Sequence, residues 1–384
     1  MLLRPNQQAA IKNSVDSGFA SGTHAHATGT GKSVIGLNII SSFFEANPLA
    51  TVIWLCEQAS VIKDIFQATR IKDCCLIDQV NSKPSDWSIN LRSVQVWKKS
   101  ILIIVNRAYL VSQVRYKFIT INVDMVVHDE CHSGAGVTTR AFYSWLRGHS
   151  PTCRVLGLSA TPPSTASAPD PRLSNILTRY SIYDAVRDNV IVPLKIAWSA
   201  KHIRCDDPTQ VCGLILQIAI SNGHRKIIVW AGTIRHCHAM AHAWDGLDKR
   251  MAFSNSMIAL DVSVPSKEYS SYADFRNASS GVLFCAAKHR EGSDISGLSM
   301  AVFVDGVEKR TPSTFVQCAG RVLRRGAAIK TFGLIVDVRA KDGMELCDRM
   351  NRYLGLPPGA MPWDLSSSAD IKYLTLNPSR SLVA

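Results

Sequence analysis

Residues 27–33 read Ala-Thr-Gly-Thr-Gly-Lys-Ser. Glycines at alternate positions let a backbone curl until successive N–H groups face one anion. A lysine next to a hydroxyl then brings a point charge toward β and γ phosphates and an oxygen ligand for Mg²⁺. Thr28, Gly29, Thr30, Gly31, Lys32 and Ser33 are therefore read as a loop that holds a polyphosphate. The apolar run 34–40 predicts a helix directly after it, whose N-terminus adds partial positive charge at the same place. His26 stands where many such loops open on glycine. A plain Gly/Thr turn is the competing reading, and Lys32-Ser33 in register argues against it.

A second constellation complements the first. Residues 125–128, Met-Val-Val-His, lead into Asp129-Glu130. Two carboxylates just past an apolar strand lie where a doubly wound sheet presents its chemistry, at the carboxyl ends of the strands. Asp129 suits the Mg²⁺ shell, and Glu130 suits orienting and deprotonating a water that attacks a γ-phosphate. An Asp-Glu pair alone is more often a solvated turn; preceded by a phosphate loop, it reads as the second half of an ATP site.

The elements that must position these groups are legible as well. Residues 51–56, 101–105, 125–128 and 155–158 are apolar without polar alternation, as in parallel strands buried on both faces. A Pro- and Ser-rich stretch at 161–171 breaks the pattern. Apolar strands resume at 226–230, 281–285, 300–304 and 331–336, without a second phosphate loop. The expected fold class is α/β, with two tandem domains, each a mostly parallel sheet flanked by helices. The expected boundaries are 1–170 for the ATP-binding domain, 171–195 for a linker, 196–350 for the second domain and 351–384 for a Pro/Ser-rich tail, loosely docked or disordered.

With 384 residues and 46% hydrophobic content, the chain can bury two ordinary cores. A net charge of +13 favours a polyanionic partner, and the basic residues are spread over both halves instead of forming a tail. None of the eleven cysteines forms a Cys-x-x-Cys pair, so buried free thiols and a reducing compartment are expected. His236, Cys237, His238 and His242 fall on a predicted amphipathic helix with no matching ligand pair, and are read as structural. No apolar run approaches the roughly 20 residues needed to cross a bilayer. The expectation is an intracellular protein, in cytoplasm or nucleus (that of a virus-infected host included), neither secreted nor membrane-bound.

Several motifs in order give these readings a family. Asp129-Glu130-Cys131-His132 resembles the Asp-Glu-x-His box of superfamily 2 helicases of the DEAD/DEAH-like kind, with a Cys variant. Ser159-Ala160-Thr161 resembles the family's third motif, which couples the nucleotide state to the nucleic-acid site. Gln317-Cys318-Ala319-Gly320-Arg321-Val322-Leu323-Arg324 matches its Gln-x-x-Gly-Arg-x-x-Arg signature. The resemblance runs from residue 3 to about residue 338 and implies two RecA-like domains. It implies that Arg321 and Arg324 stabilise charge on the γ-phosphoryl group, where a guanidinium is worth orders of magnitude in rate, and that Gln317 senses the phosphate or the water. Leu3-Arg4-Pro5-Asn6-Gln7 resembles the adenine-recognition element, with Gln7 on the base edge and Arg4 on the ring. Residues 290–295 resemble the fifth motif, which would bring Gly292 and Asp294 to the ribose and γ-phosphate.

A nucleic-acid strand in this family crosses both domains on phosphate contacts, and position suggests Glu57, Gln58, Asn106, Arg107, Gly232, Thr233 and Lys288. Residues 3–7, 157–162 and 180–186 resemble the branch of restriction-enzyme translocases and excision-repair helicases, which favours DNA. The cysteine in the box also occurs among duplex-RNA translocases, so RNA stays open. The implied function is an ATP- and Mg²⁺-dependent helicase or translocase with a core that can work as a monomer. The alternatives are a duplex-tracking remodelling ATPase that leaves strands paired, an RNA helicase, and a non-hydrolysing clamp, against which the complete set Lys32, Asp129, Glu130, Arg321 and Arg324 argues.

Overall fold

The computed structural model describes residues 2–57, 74–78, 99–112, 115–119, 121–133, 136–247, 257–262, 268–286, 288–289, 295–307, 310–325, 330–368 and 370–380. The chain divides into two compact units, Met1–Tyr180 and Ser181–Ala384.

The first unit begins with α1 (Pro5–Asp16), β1 (Gly22–His26), α2 (Lys32–Ala46) and β2 (Thr51–Cys56). Then come β3 (Cys74–Asp78), β4 (Ser100–Asn106), α3 (Arg107–Ser112), β5 (Met125–Asp129), α4 (Val137–His149), β6 (Arg154–Ser159) and β7 (Ile176–Tyr180). The strands form one parallel sheet in the order β3-β4-β2-β5-β6-β1-β7. Each of β1, β2 and β4 is buried nearly end to end, because helices cover both faces. On one face, α2 packs Ile35, Ile39 and Phe43 against Val52, Trp54 and Leu158; on the other, Phe142 and Leu146 of α4 meet Ile53, Val126 and Val155. Gly36 allows the close approach of α2, since a Cβ there would lie 2.5 Å from the Trp54 ring.

The topology brings distant motifs together. β5, β6 and β1 are neighbours and parallel, with Asp129 beside Leu158 and Ser159 beside Ala25. The phosphate loop, the Asp-Glu pair and the Ser-Ala-Thr motif thus leave from the carboxyl ends of three adjacent strands.

The second unit holds α5 (Ile182–Arg187), β8 (Leu194–Ser199), α6 (Pro208–Ser221), β9 (Lys226–Trp230), α7 (Ile234–Asp245), β10 (Met257–Asp261), α8 (Tyr272–Asn277) and β11 (Gly281–Cys285). It continues through β12 (Met300–Phe303), α9 (Pro312–Val322), β13 (Gly333–Asp337), α10 (Gly343–Leu354), β14 (Trp363–Ser368) and β15 (Ile371–Leu376). Its sheet order is β10-β11-β9-β12-β13-β8-β15-β14. Up to β8 this repeats the first sheet strand for strand, with β8 in the place of β1 and β13 in the place of β6.

Two boundaries differ from the sequence expectation. The residues expected to be a linker, 171–195, are structured within both units: β7 closes the edge of the first sheet beside β1, and α5 leads into β8 of the second. Asp170, fully buried, fixes that corner by accepting from Arg172 Nε at 2.8 Å and Arg147 Nη1 at 2.9 Å. The expected loose tail is also ordered over most of its length. β14 and β15 form a hairpin that pairs antiparallel with β8, and Trp363 Nε1 donates to buried Asn351 at 2.8 Å. Its Pro and Ser residues sit in the turn before the hairpin and on the exposed strand β14, so their composition hid the apolar alternation of 371–376.

Three buried histidines lie in the first unit. His24 bonds Ser14 and Thr178, His26 bonds Thr178, and His128 bonds the Tyr143 hydroxyl at 2.9 Å. Burial holds all three neutral, lowering His24 to about 4 and His26 and His128 to about 3; His24 and Lys32 add to the effect at His26, and Arg107 and His132 at His128. A folded-state value below the unfolded one means stability present above about pH 6.5 and lost as pH falls toward 4, at about 1.4 kcal/mol per pH unit per histidine. Thermal melts of the first-unit transition are expected to fall steeply between pH 7 and pH 5, and His128→Leu to flatten that slope. A melting temperature unchanged over this range would contradict the assignment.

Candidate nucleotide site

β1 delivers the chain into a loop whose Gly29 and Gly31 both have φ of +87°, a left-handed conformation costly for any residue with a Cβ. Thr30 closes the loop, its hydroxyl donating to Ala27 O at 2.7 Å. Gly31 is the N-cap of α2 and brings no capping side chain, so the first-turn amides face outward to whatever anion arrives. Gln7 supports the loop from α1: its Nε2 donates to Thr30 O at 3.2 Å, and its Oε1 accepts from Arg4 N at 2.9 Å. The amide expected to read adenine thus also braces the phosphate loop, keeping one N–H and one lone pair for other use. The Arg4 side chain is exposed beside it.

Lys32 is only 7% exposed, and its Nζ lies 3.4 Å from Glu130 Oε1. The other oxygen of Glu130 is 3.5 Å from His132 Nδ1, and that nitrogen is 2.9 Å from Ser159 Oγ. Ser159 Oγ in turn accepts from Thr161 N at 3.1 Å. One line of polar contacts therefore runs from Lys32 through Glu130 and His132 to Ser159 and Thr161, with Ala160 carried in the same turn. Glu130 adopts φ of +50°, rare for a non-glycine residue and a mark of local strain that clusters at functional sites. His132 is the member whose linking role the sequence did not signal; its place in the box was the only cue.

Asp129 sits at the end of β5, its carboxyl raised well above the ordinary carboxylate range, first by burial and then by Glu130 beside it. Two crowded carboxylates fit a cation. With the Ser33 hydroxyl at the start of α2, Asp129 offers an oxygen-only donor set of the kind Mg²⁺ prefers.

In the second unit, α9 carries Gln317, fully buried, and Arg321, 7% exposed, with Arg324 just past its end. Arg321, Arg324 and Arg325 line a cavity of about 690 Å³ together with Lys226 and Lys330. Lys330, absent from the sequence expectation, staples the end of α9: its Nζ donates to Val322 O, to Arg324 O at 3.3 Å and to Leu298 O at 2.8 Å. Gly292 and Asp294 lie outside the described residues, as does Gln58.

The suggested nucleic-acid contacts hold local structure together. Asn106 caps α3 by accepting from Tyr109 N and donates to Glu57 O, while Arg107 makes a 2.7 Å ion pair with Glu57. Thr233 caps α7, Gly232 has φ of +80°, and Lys288 pairs with Asp261 at 2.6 Å. They lie at or just past the carboxyl ends of strands, and the cations of Arg107 and Lys288 are paired with Glu57 and Asp261.

Solved structures share this fold. The type ISP restriction-modification enzyme LlaBIII bound to DNA superposes with a TM-score of 0.63 at 14% identity, over 88% of this chain and 28% of that one. The DUF1998 helicase MrfA bound to DNA gives 0.62 at 16% identity, over 93% of this chain and 52% of that one. Dbp5 of S. cerevisiae, bound to RNA and ADP BeF3, gives 0.62 at 14% identity, over 91% and 87%. The chain shares the fold of these proteins. Its two units are the tandem RecA-like domains of that fold, and residues 1–164 match the ResIII family, described as Type III restriction enzyme, res subunit. No curated protein matches the chain significantly. The chain spans less than a third of the type ISP enzyme and about half of MrfA.

The loop glycines have no substitute, because both hold a left-handed backbone. Gly31→Ala would carry a Cβ 2.3 Å from Gln7 Nε2 in a backbone conformation that itself costs about 1–2 kcal/mol. Thermal unfolding should show that loss without ligand, together with weaker nucleotide binding by titration; a variant matching wild type in both would contradict the geometry.

Proposed function

We propose that this chain is an ATP-dependent helicase or translocase that acts on DNA and uses Mg²⁺ held by Ser33 and Asp129. The observation that carries the reading is the line from Lys32 through Glu130 and His132 to Ser159, which ties the phosphate loop to the motif that the helicase resemblance assigns to coupling. Mg²⁺, when bound, would neutralise phosphate charge and polarise the γ-phosphoryl group.

The chain's own groups do the rest. The α2 amides and Lys32 bind the β and γ phosphates. A γ-phosphate offers Lys32 a stronger partner than Glu130, which frees the carboxylate to orient and deprotonate water. His132 loses one neighbour when Glu130 turns, and its bond to Ser159 relays that change to Thr161. Gln317, Arg321 and Arg324 are proposed to act on the γ-phosphoryl charge, and Gly292 and Asp294 on the ribose side. DNA is favoured because LlaBIII and MrfA are described as bound to DNA; Dbp5, bound to RNA, keeps RNA as the second substrate to test.

ATP hydrolysis measured with single-stranded, duplex and forked DNA and with RNA at fixed salt is expected to be stimulated most by DNA. Lys32→Ala should lower turnover by roughly 10²–10³-fold, the scale of losing a transition-state charge contact. Arg321→Ala should act mainly on kcat, and His132→Ala should reduce stimulation by DNA more than the unstimulated rate. Wild-type turnover by Lys32→Ala would defeat the reading. Strand separation assayed beside triplex displacement distinguishes a helicase from a tracker that leaves the duplex intact.

A further inference from the structure

The second sheet repeats the strand order of the first, so it has its own equivalent of the place where the phosphate loop lies: the carboxyl ends of β8 and β13. The chain leaves β8 for α6, which packs on the same face as α7, and leaves β13 for α10, which packs with α9 on the opposite face. Adjacent strands whose connections depart to opposite faces open a crevice between them, the usual ligand site of an open α/β sheet. Here that crevice is an open cavity of about 950 Å³ walled by residues 199–206 and 338–341.

Its chemistry differs from that of the first unit. No glycine loop is present, and Asp207 fills the N-terminus of α6 by accepting from Thr209 N at 3.0 Å and Gln210 N at 3.2 Å. Side chains supply the charge instead. Lys201, His202, Arg204, Arg339 and Lys341 line the cavity, against a single carboxylate among the described residues of its wall, Asp206, which pairs with Arg204 at 3.3 Å. Lys201 pairs with Asp370 at 2.5 Å. Among the described residues Arg339 and Lys341 have no ion-pair partner, and both are exposed.

The same edge of the sheet carries Lys288 after β11 and Thr233 after β9, in the order β11-β9-β12-β13-β8. At about 4.8 Å between strands, the row from β11 to β8 is roughly 19 Å long, room for several nucleotides of a single strand. We propose that this crevice binds phosphate groups of a nucleic-acid strand through Arg339 and Lys341, with Lys201, His202 and Arg204 beside them, as the end of a backbone track across the second unit. The inference rests on the proposed nucleic-acid reading and adds to it a site outside the helicase motifs. A free nucleotide carries the same phosphate chemistry, and the experiment separates the two sources.

The test is fluorescence anisotropy of a labelled 20-nucleotide single strand titrated with the full chain over a salt series, and of a labelled ATP analogue in parallel. Arg339→Ala/Lys341→Ala should weaken oligonucleotide binding on the order of tenfold near 0.1 M salt and reduce the log–log salt slope by about 1.4, the signature of two lost phosphate contacts. Binding of the ATP analogue should stay unchanged, and Arg339→Lys/Lys341→Arg should restore both affinity and slope. Lys12→Ala, removing an exposed cation of α1, should leave the slope as it was. Unchanged affinity and slope in the double alanine variant, with wild type binding the strand, would overturn the site and leave the proposed function standing. Weakened ATP-analogue binding with oligonucleotide binding intact would overturn the nucleic-acid assignment in favour of a nucleotide. A wild-type protein that hydrolyses ATP but binds neither DNA nor RNA would overturn the functional reading itself, and this site with it.

Discussion

A buried lysine ammonium at the start of α2 is the constraint around which the first unit is organised. Removing one member of a buried ion pair typically costs about 3–5 kcal/mol, because the remaining charge is stranded. Lys32 therefore needs an anion at all times, and here Glu130 supplies it at 3.4 Å. The same need makes the site responsive. Under the proposed function, a phosphate that takes over Lys32 would release a carboxylate held in a strained backbone conformation, the group proposed to activate water.

That exchange works only if three segments far apart in sequence arrive within a few ångströms of one another. The strand order β5-β6-β1 accomplishes this, since parallel neighbours present their exits on one edge. The second unit uses the same order for a different end. Where the first leaves its helix N-terminus open behind Gly31, the second closes the corresponding helix with Asp207 and surrounds the crevice with arginine and lysine side chains. One topology thus yields an uncapped helix N-terminus in one unit and a crevice lined by cationic side chains in the other. The first suits a compact polyphosphate that must be positioned for chemistry, and the second suits a backbone that must be gripped and let go.

The parallel strands and the phosphate loop were legible in the sequence because each depends on local pattern: apolar runs without alternation, and glycines in register with lysine. The end of the chain was not, because Pro and Ser at 357–368 outweighed the short alternating strand at 371–376. The corner at Asp170 was hidden for a related reason. A Pro-rich segment reads as mobile until a buried carboxylate with two arginine partners, one of them 23 residues away, is seen to hold it. Roles that arise from contacts between elements, such as His132 toward Ser159 or Lys330 toward the end of α9, leave no periodic trace. The nucleic-acid candidates Arg107 and Lys288 show the same limit: the carboxylates that already occupy the two cations, Glu57 and Asp261, were not readable from the sequence.

The exchange of partners at Lys32 can be measured directly. Calorimetric titration of Glu130→Gln with ATP and Mg²⁺, compared with wild type, separates binding from turnover. If Glu130 competes with the γ-phosphate for Lys32, neutralising it should tighten ATP binding while hydrolysis is lost. ATP affinity that falls along with hydrolysis would mean that Glu130 supports the bound nucleotide instead of yielding to it, and would contradict the account.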